Sequence, residues 1–244
     1  MFQIRTIVVL ILCFLFQDCK DEPPFFQKLN LPFREETNHF HFYCEDALDA
    51  TAFTAIKVRL ENNYAGLLSK FQLSSLPKIR IAIWTDRDNF YNAQNNRYPG
   101  STGYITGKEE ARLLYLDPRS EITAVHEFVH LLTLFVKEDF DNKPRWLWES
   151  IAVFEAGQFV EPKSLPYMVS GNYPSLDELD QAFGTNQKIY QVGYTLAEFI
   201  VTNWDYDTLI TLIKSNGNIQ ETLHITTQEF ESQWYDFVNE KYLK

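Results

Sequence analysis

The sequence predicts an α+β fold: a small mixed sheet at the N-terminal end, then a helical half. Short runs that alternate β-branched or aromatic with polar residues are confined to the stretch before residue 117. Beyond it the apolar spacing is helical, interrupted by one long connection marked by Pro162, Pro166, Gly171 and Pro174.

His39-Phe40-His41-Phe42-Tyr43 alternates as a first strand should. Leu48, Phe53, Ile56, Leu60, Tyr64, Leu67 and Leu68 then follow helical spacing, predicting a helix over 46–71. Ile79-Arg80-Ile81-Ala82-Ile83-Trp84 reads as a second strand, and Asp86 as the cap of a short helix reaching residue 92. Pro99, Gly100, Gly103 and Gly107 make 97–107 a loop with room for one short strand at 103–106. Arg112-Leu113-Leu114-Tyr115-Leu116 is the next strand. Asp117-Pro118 reads as a helix start, with a helix running to about residue 136. Pro144 opens a second helix that Gly157 can close. A third begins near residue 188, and a helix over 230–242 ends the chain.

The chain has 244 residues, 22 basic and 33 acidic, for a net charge of −11. That balance, with no basic cluster, excludes nucleic acid as a partner, because phosphate binding needs grouped Lys and Arg. Twenty Phe, 13 Tyr and 5 Trp exclude a disordered chain and supply a sizeable core.

Residues 1–18 read as an export signal: Arg5 precedes an apolar run of ten residues, Ile7 to Phe16, too short to span a bilayer. Cys19 follows at once, an arrangement that resembles a bacterial lipoprotein signal and implies lipidation of Cys19. Asp18 stands where such signals carry a small residue, and an uncleaved anchor or a cut elsewhere is the alternative. The expectation is an exported protein of the cell envelope, anchored to the membrane through Cys19 if acylated. Residues 19–38, with Pro23, Pro24 and Pro32, read as a tether, leaving 39–244 as one domain. Once residues 1–18 are removed, only Cys19 and Cys44 remain, so an acylated Cys19 leaves Cys44 without an intrachain partner and suited to burial.

His126-Glu127-Phe128-Val129-His130 lies inside the helix predicted before residue 136. Positions i and i+4 share a helical face, so the two imidazoles can grip one Zn²⁺ while Glu127 reaches a water beside them. Five letters alone arise by chance about once in a hundred such chains, so a third ligand is required. Glu149 supplies it from the second helix, with 18 residues between it and His130. The alternative is a pair of buried polar histidines bonded to Glu149 without metal.

Together with Arg145-Trp146-Leu147-Trp148-Glu149-Ser150-Ile151-Ala152-Val153-Phe154, the motif resembles the gluzincin zinc metallopeptidases, and the wider pattern resembles the bacterial peptidase MA-like family. Ser150 departs from the Gly that many relatives carry. The resemblance implies a zincin-like fold with the sheet packed on the motif helix. It implies one zinc ion on His126, His130 and Glu149, with Glu127 as general base. It also implies a peptide or protein substrate laid along a sheet edge at Gly103 and Tyr104, where an ordinary Gly-rich loop is the alternative. A tyrosine, Tyr190 or Tyr194, would donate to the oxyanion. Endopeptidase activity is the first expectation. Two others are an aminopeptidase, with Glu109 or Glu110 holding the amine, and an inactive surface-binding lipoprotein. His39 and His41 share a strand face and suit solvent better than metal, His224 lies outside any motif, and Glu155 should face away from the metal.

Overall fold

The computed structural model describes residues 26–116, 118–181, 184 and 186–244. Residues 1–18, read as an export signal, and Cys19 lie outside the described residues. Five strands form one mixed sheet: β1 (Phe33–Glu36), β2 (Phe40–Cys44), β3 (Ile79–Trp84), β4 (Gly103–Ile105) and β5 (Glu110–Leu114), in the order β1-β2-β3-β5-β4. The central pairs β2–β3 and β3–β5 are parallel and the outer pairs antiparallel. A parallel pair needs a crossover, and α1 (Ala50–Lys70) supplies the one between β2 and β3.

The sheet is covered on both faces, so β5 is buried throughout and β3 everywhere but Arg80. In β3, Ile79, Ile81 and Ile83 enter the main core with Phe40 and Phe42, while Ala82 and Trp84 enter a smaller cluster with Phe90 and Tyr104. Phe90 comes from α2 (Arg87–Ala93), whose cap is Asp86, accepting from Asn89 N at 2.8 Å. The apolar stripe expected in α1 is buried as read from Phe53 to Leu68, and Asp49 caps the helix.

The strand expected at 112–116 lies at Glu110–Leu114, the first helix begins at Ala50 and the last at Thr227, and two further boundaries differ from expectation. Phe33–Glu36, assigned to the tether, pairs antiparallel with β2. This charged, mostly exposed edge strand has no core-facing alternation to read; charged edges also discourage pairing with other chains. It is held by Arg34 Nη1 on Leu48 O at 2.9 Å and by the Lys57–Glu35 ion pair. Residues before it are tied down too: Arg112 Nη2 donates to Gln27 O at 2.8 Å, and Phe26 stacks on Tyr104. The motif helix α3 (Ser120–Val136) starts later than Asp117-Pro118, after a turn in which Leu116 N donates to the Ser120 hydroxyl.

The helical half contains α4 (Arg145–Ala156), α5 (Pro166–Val169), α6 (Leu176–Leu179), α7 (Ile189–Asn203), α8 (Tyr206–Lys214), α9 (Ile219–Leu223) and α10 (Thr227–Val238). Helix α10 opens with a capping box between Thr226 and Glu229 and closes through a π-helical turn at Asn239–Leu243. No helix among the described residues is long and apolar enough to cross a membrane. Helix α3 packs against α1 and the sheet on one side and α4 on the other, and α4 packs closely on α7.

That last contact depends on two small residues. Ser150 is fully buried and turns its hydroxyl onto Trp146 O at 2.6 Å. A Cβ on Gly193 would stand 3.1 Å from Ser150 Cα and 3.2 Å from its Oγ. Gly193→Val should therefore force the two helices apart and destabilise the protein by about 1–3 kcal/mol, read by urea unfolding. A change under about 0.5 kcal/mol would show that the contact yields freely.

Candidate metal centre

Helix α3 turns His126 and His130 toward α4, where Glu149 meets them. All three are buried, at 5–6% exposure. His126 Nε2 and His130 Nε2 lie 3.0 Å apart, and Glu149 Oε2 is 3.2 Å from the first and 3.6 Å from the second. A tetrahedral ion with ligands at about 2.0–2.2 Å separates its donor atoms by about 3.4 Å. The cluster therefore has the spacing, burial and donor set to hold a metal ion.

Its unpaired atoms fit the same conclusion. Glu149 Oε2 is buried without a hydrogen-bond partner, whereas Oε1 accepts from the Tyr190 hydroxyl at 2.9 Å. Gln158 Oε1 lies 2.8 Å from His126 Nδ1; by accepting its proton it fixes the tautomer that frees Nε2. His130 is stacked on Trp148 at 4.4 Å between centroids, and its Nδ1 is buried and unpaired.

Electrostatics separate the groups by role. Burial works against a charged Glu149, but the two imidazoles facing its Oε2 hold it well below the usual carboxylate range. Burial pulls His130 down to about 4, so it stays neutral as a ligand must. Burial also opposes charge on His126, yet its bond to Glu149 and the charge of Glu127 leave its pKa raised. Glu127 is pushed up to about 8 by burial, with His126 opposing and Glu149 reinforcing.

Glu127 is pinned from the sheet side. A Cβ on Gly103 would lie 2.7–2.8 Å from Glu127 Cγ and Cδ, so only glycine lets β4 approach this closely. Gly103, His126, Glu127 and Tyr190 line both of two adjoining hollows, about 620 and 450 Å³ in volume. Leu116, Ile122, Phe159 and Val160 line the first; Tyr98, Asp141, Asn142 and Trp148 line the second. Strand β4 is the outermost strand beside this cleft. Leu114 N donates to Thr102 O and Thr106 N to Glu110 O, so by antiparallel alternation Gly103 and Ile105 turn their peptide groups to the open edge.

Other expectations separate here. Tyr190 reaches the cluster, but Tyr194, one turn further along α7, packs on Phe154 and Phe159 instead. Tyr104 borders the second hollow, but its ring lies against Phe26 and Phe90 and its hydroxyl accepts from Arg112, because successive strand residues face opposite ways. Glu110 is committed to Arg80 and Arg112. Glu155 faces Lys70 and Tyr206, His39 pairs with Glu61, and His41 with Glu36.

Two residues of the centre escaped the sequence reading. Gln158 is brought back over α4 by Gly157, which closes the helix at φ 73°; a Gly stop followed by a polar residue is a weak signal. Arg145 is buried at the start of α4, its Nη1 donating to the carbonyls of Gln181 at 3.0 Å and Asn186 at 3.3 Å. Nothing in sequence distinguishes it from a solvated Arg in a first turn.

No protein-family model matches the chain, and none of the curated proteins matches it at a significant level.

Gln158→Ala should weaken metal binding about 10–100-fold while leaving the metal-free fold intact, measured by chelator competition and unfolding. An unchanged affinity would show that His126 needs no partner. Glu127 gives a second expectation, for the metal-free protein. Its folded pKa is raised, so its contribution is full below the ordinary carboxylate value of about 4.3 and is lost as pH rises through about 8. In chelator, wild type should lose stability relative to Glu127→Gln between about pH 4.5 and 8. Parallel stability–pH curves for the two proteins would contradict the raised pKa.

Proposed function

We propose that the protein is a zinc-dependent metallopeptidase of zincin-like fold that cleaves peptide bonds within a chain. The observation that carries this is the convergence of His126 Nε2, His130 Nε2 and an unpaired, buried Glu149 Oε2, with Glu127 beside them at the floor of a cleft. Two imidazoles and one carboxylate suit zinc, and a catalytic zinc keeps a further position open for water or substrate. Bound there, zinc supplies Lewis acidity toward the scissile carbonyl and toward water.

This chain's residues do the rest. A peptide laid along β4 pairs with the open N–H and C=O groups of Gly103 and Ile105, as an added strand does. Its scissile carbonyl then faces the cluster. Glu127, held against Gly103, takes the proton from water and delivers it to the leaving amine. Tyr190, whose pKa burial and Glu149 push well above the phenolic value, stays protonated and donates to the carbonyl oxygen as charge develops.

Internal cleavage is favoured by hollows on both sides of Glu127, which leave room for substrate in each direction. It is favoured also by the commitment of Glu110 to two arginines, which removes one of the two carboxylates considered for an α-amine. The proposed setting is the cell envelope after export, with a lipid anchor at Cys19; lipid-precursor labelling that persists in Cys19→Ala would contradict the anchor.

Digestion of a blocked-peptide library should yield internal cleavage that is abolished by chelator and restored by zinc. Glu127→Gln should keep stoichiometric zinc and lose nearly all turnover, whereas Glu149→Ala should lose the metal. Tyr190→Phe should lower kcat about 10²–10³-fold, with Tyr194→Phe close to wild type. A zinc-loaded wild type that cleaves nothing would overturn the reading.

A further inference from the structure

A phenol has a single proton to donate. The Tyr190 hydroxyl gives it to Glu149 Oε1 at 2.9 Å, so it must leave that oxygen to donate to substrate. Glu149 would then stand buried with neither oxygen hydrogen-bonded, unless another donor replaced the phenol.

Arg145 is placed to be that donor. It lies one turn before Glu149 on α4, 2% exposed, with Nε 3.9 Å from Glu149 Oε1. That distance is too long for a hydrogen bond and about 1 Å from making one. Its Nη1 is anchored on the carbonyls of Gln181 and Asn186, and its guanidinium carbon lies 5.4 Å from the centre of the Tyr190 ring. Its Nη2 is buried without a partner. A buried guanidinium nitrogen left unpaired is costly, and the same guanidinium brings its Nε near a carboxylate oxygen whose present donor has work elsewhere.

We propose that Arg145 is a positioning residue that takes over Glu149 Oε1 when Tyr190 turns to the substrate, so that Oε2 keeps its direction toward the two imidazoles throughout. The exchange needs only side-chain movement, because both residues sit on one face of one helix. It rests on the reading of Tyr190 as a donor to substrate.

Zinc affinity, measured without substrate by competition with a chromophoric chelator, tests the exchange. With either donor present Oε1 stays held. Tyr190→Phe and Arg145→Met should each stay within about 5-fold of wild type, and the double variant should lose about 10–100-fold. Arg145→Lys in the Tyr190→Phe background, which keeps a donor and a charge one turn from Glu149, should recover to within about 5-fold of wild type. Losses that multiply independently, or a Lys variant no better than Met, would overturn the proposal. Should the Met variant fail to fold, the Lys single and double variants decide it: both close to wild type supports the exchange, and a 100-fold loss in the double overturns it. Turnover gives the second arm. Arg145→Met should lower kcat with KM little changed, and should lower it no further once Tyr190 is Phe; an equal loss in both backgrounds would mark Arg145 as merely structural. Zinc-loaded wild type without peptidase activity would instead defeat the functional reading, leaving the affinity measurements to judge Arg145.

Discussion

Glu149 carries a carboxylate into a buried pocket where one oxygen has a phenol and the other has no hydrogen-bond partner. A carboxylate removed from water costs several kcal/mol unless it is paired. The nearest fixed cation, Arg145, stands 3.9 Å off and is occupied with backbone carbonyls. The imidazoles beside it offset only part of that cost, since one of them, His130, is itself held neutral by burial. The polar cluster is thus left unsatisfied in a way that one divalent cation would resolve, while the apolar packing around it is complete.

Helix packing makes that arrangement rigid. Helix α3 sets two imidazoles one turn apart, and α4 must lie close enough for a short carboxylate to meet them. Trp148, the residue before Glu149, stacks on His130, so the side chain that positions the ring belongs to the same helix as the carboxylate. Ser150, the residue after it, admits α7 at Gly193 and so brings Tyr190 onto the carboxylate. Three consecutive residues of α4 therefore fix an imidazole, a ligand and the neighbouring helix. A glycine at 150 would leave room without adding contact; the serine hydroxyl instead bonds within its own helix, and its contact reaches α7 without touching His126, His130 or Glu149.

What could be read from the chain follows from the same physics. The His126–His130 pair was legible because helical spacing puts i and i+4 on one face, and Glu149 because the pair called for a third carboxylate on a following helix. The α1 stripe and the Asp86 cap were legible because period and capping are local. Strand β1 was not, because an exposed edge of alternating charge has no buried face to betray it. Gln158 depends on the direction taken after a left-handed Gly157, and Arg145 on carbonyls some 35 to 40 residues away, so neither has a local signature. Tyr190 and Tyr194 were equivalent by spacing alone. A helix face drifts and advances by a full turn in four residues, and that advance carries Tyr194 beyond Glu149 to the aromatic side chains near the end of α4.

The sheet bears on the centre through a single contact. Strand β4 is three residues long and lies at the edge, yet Gly103 presses against the carboxylate of Glu127 so closely that no side chain fits between them. An edge strand that short gains little from its own ladder. Its position is set on one side by β5 and on the other by Tyr104, whose ring is fastened to Phe26, Phe90 and Arg112 in the outer cluster. Tyr104, expected to touch substrate, therefore acts one step back: it anchors the strand from the outer face so that Gly103 can hold Glu127 from the inner one. The same contact explains why burial raises the Glu127 carboxyl, since the glycine backbone occupies space that water would otherwise fill. The close approach of Gly103 in this way both buries the Glu127 carboxyl and leaves the outer edge of β4 open beside it.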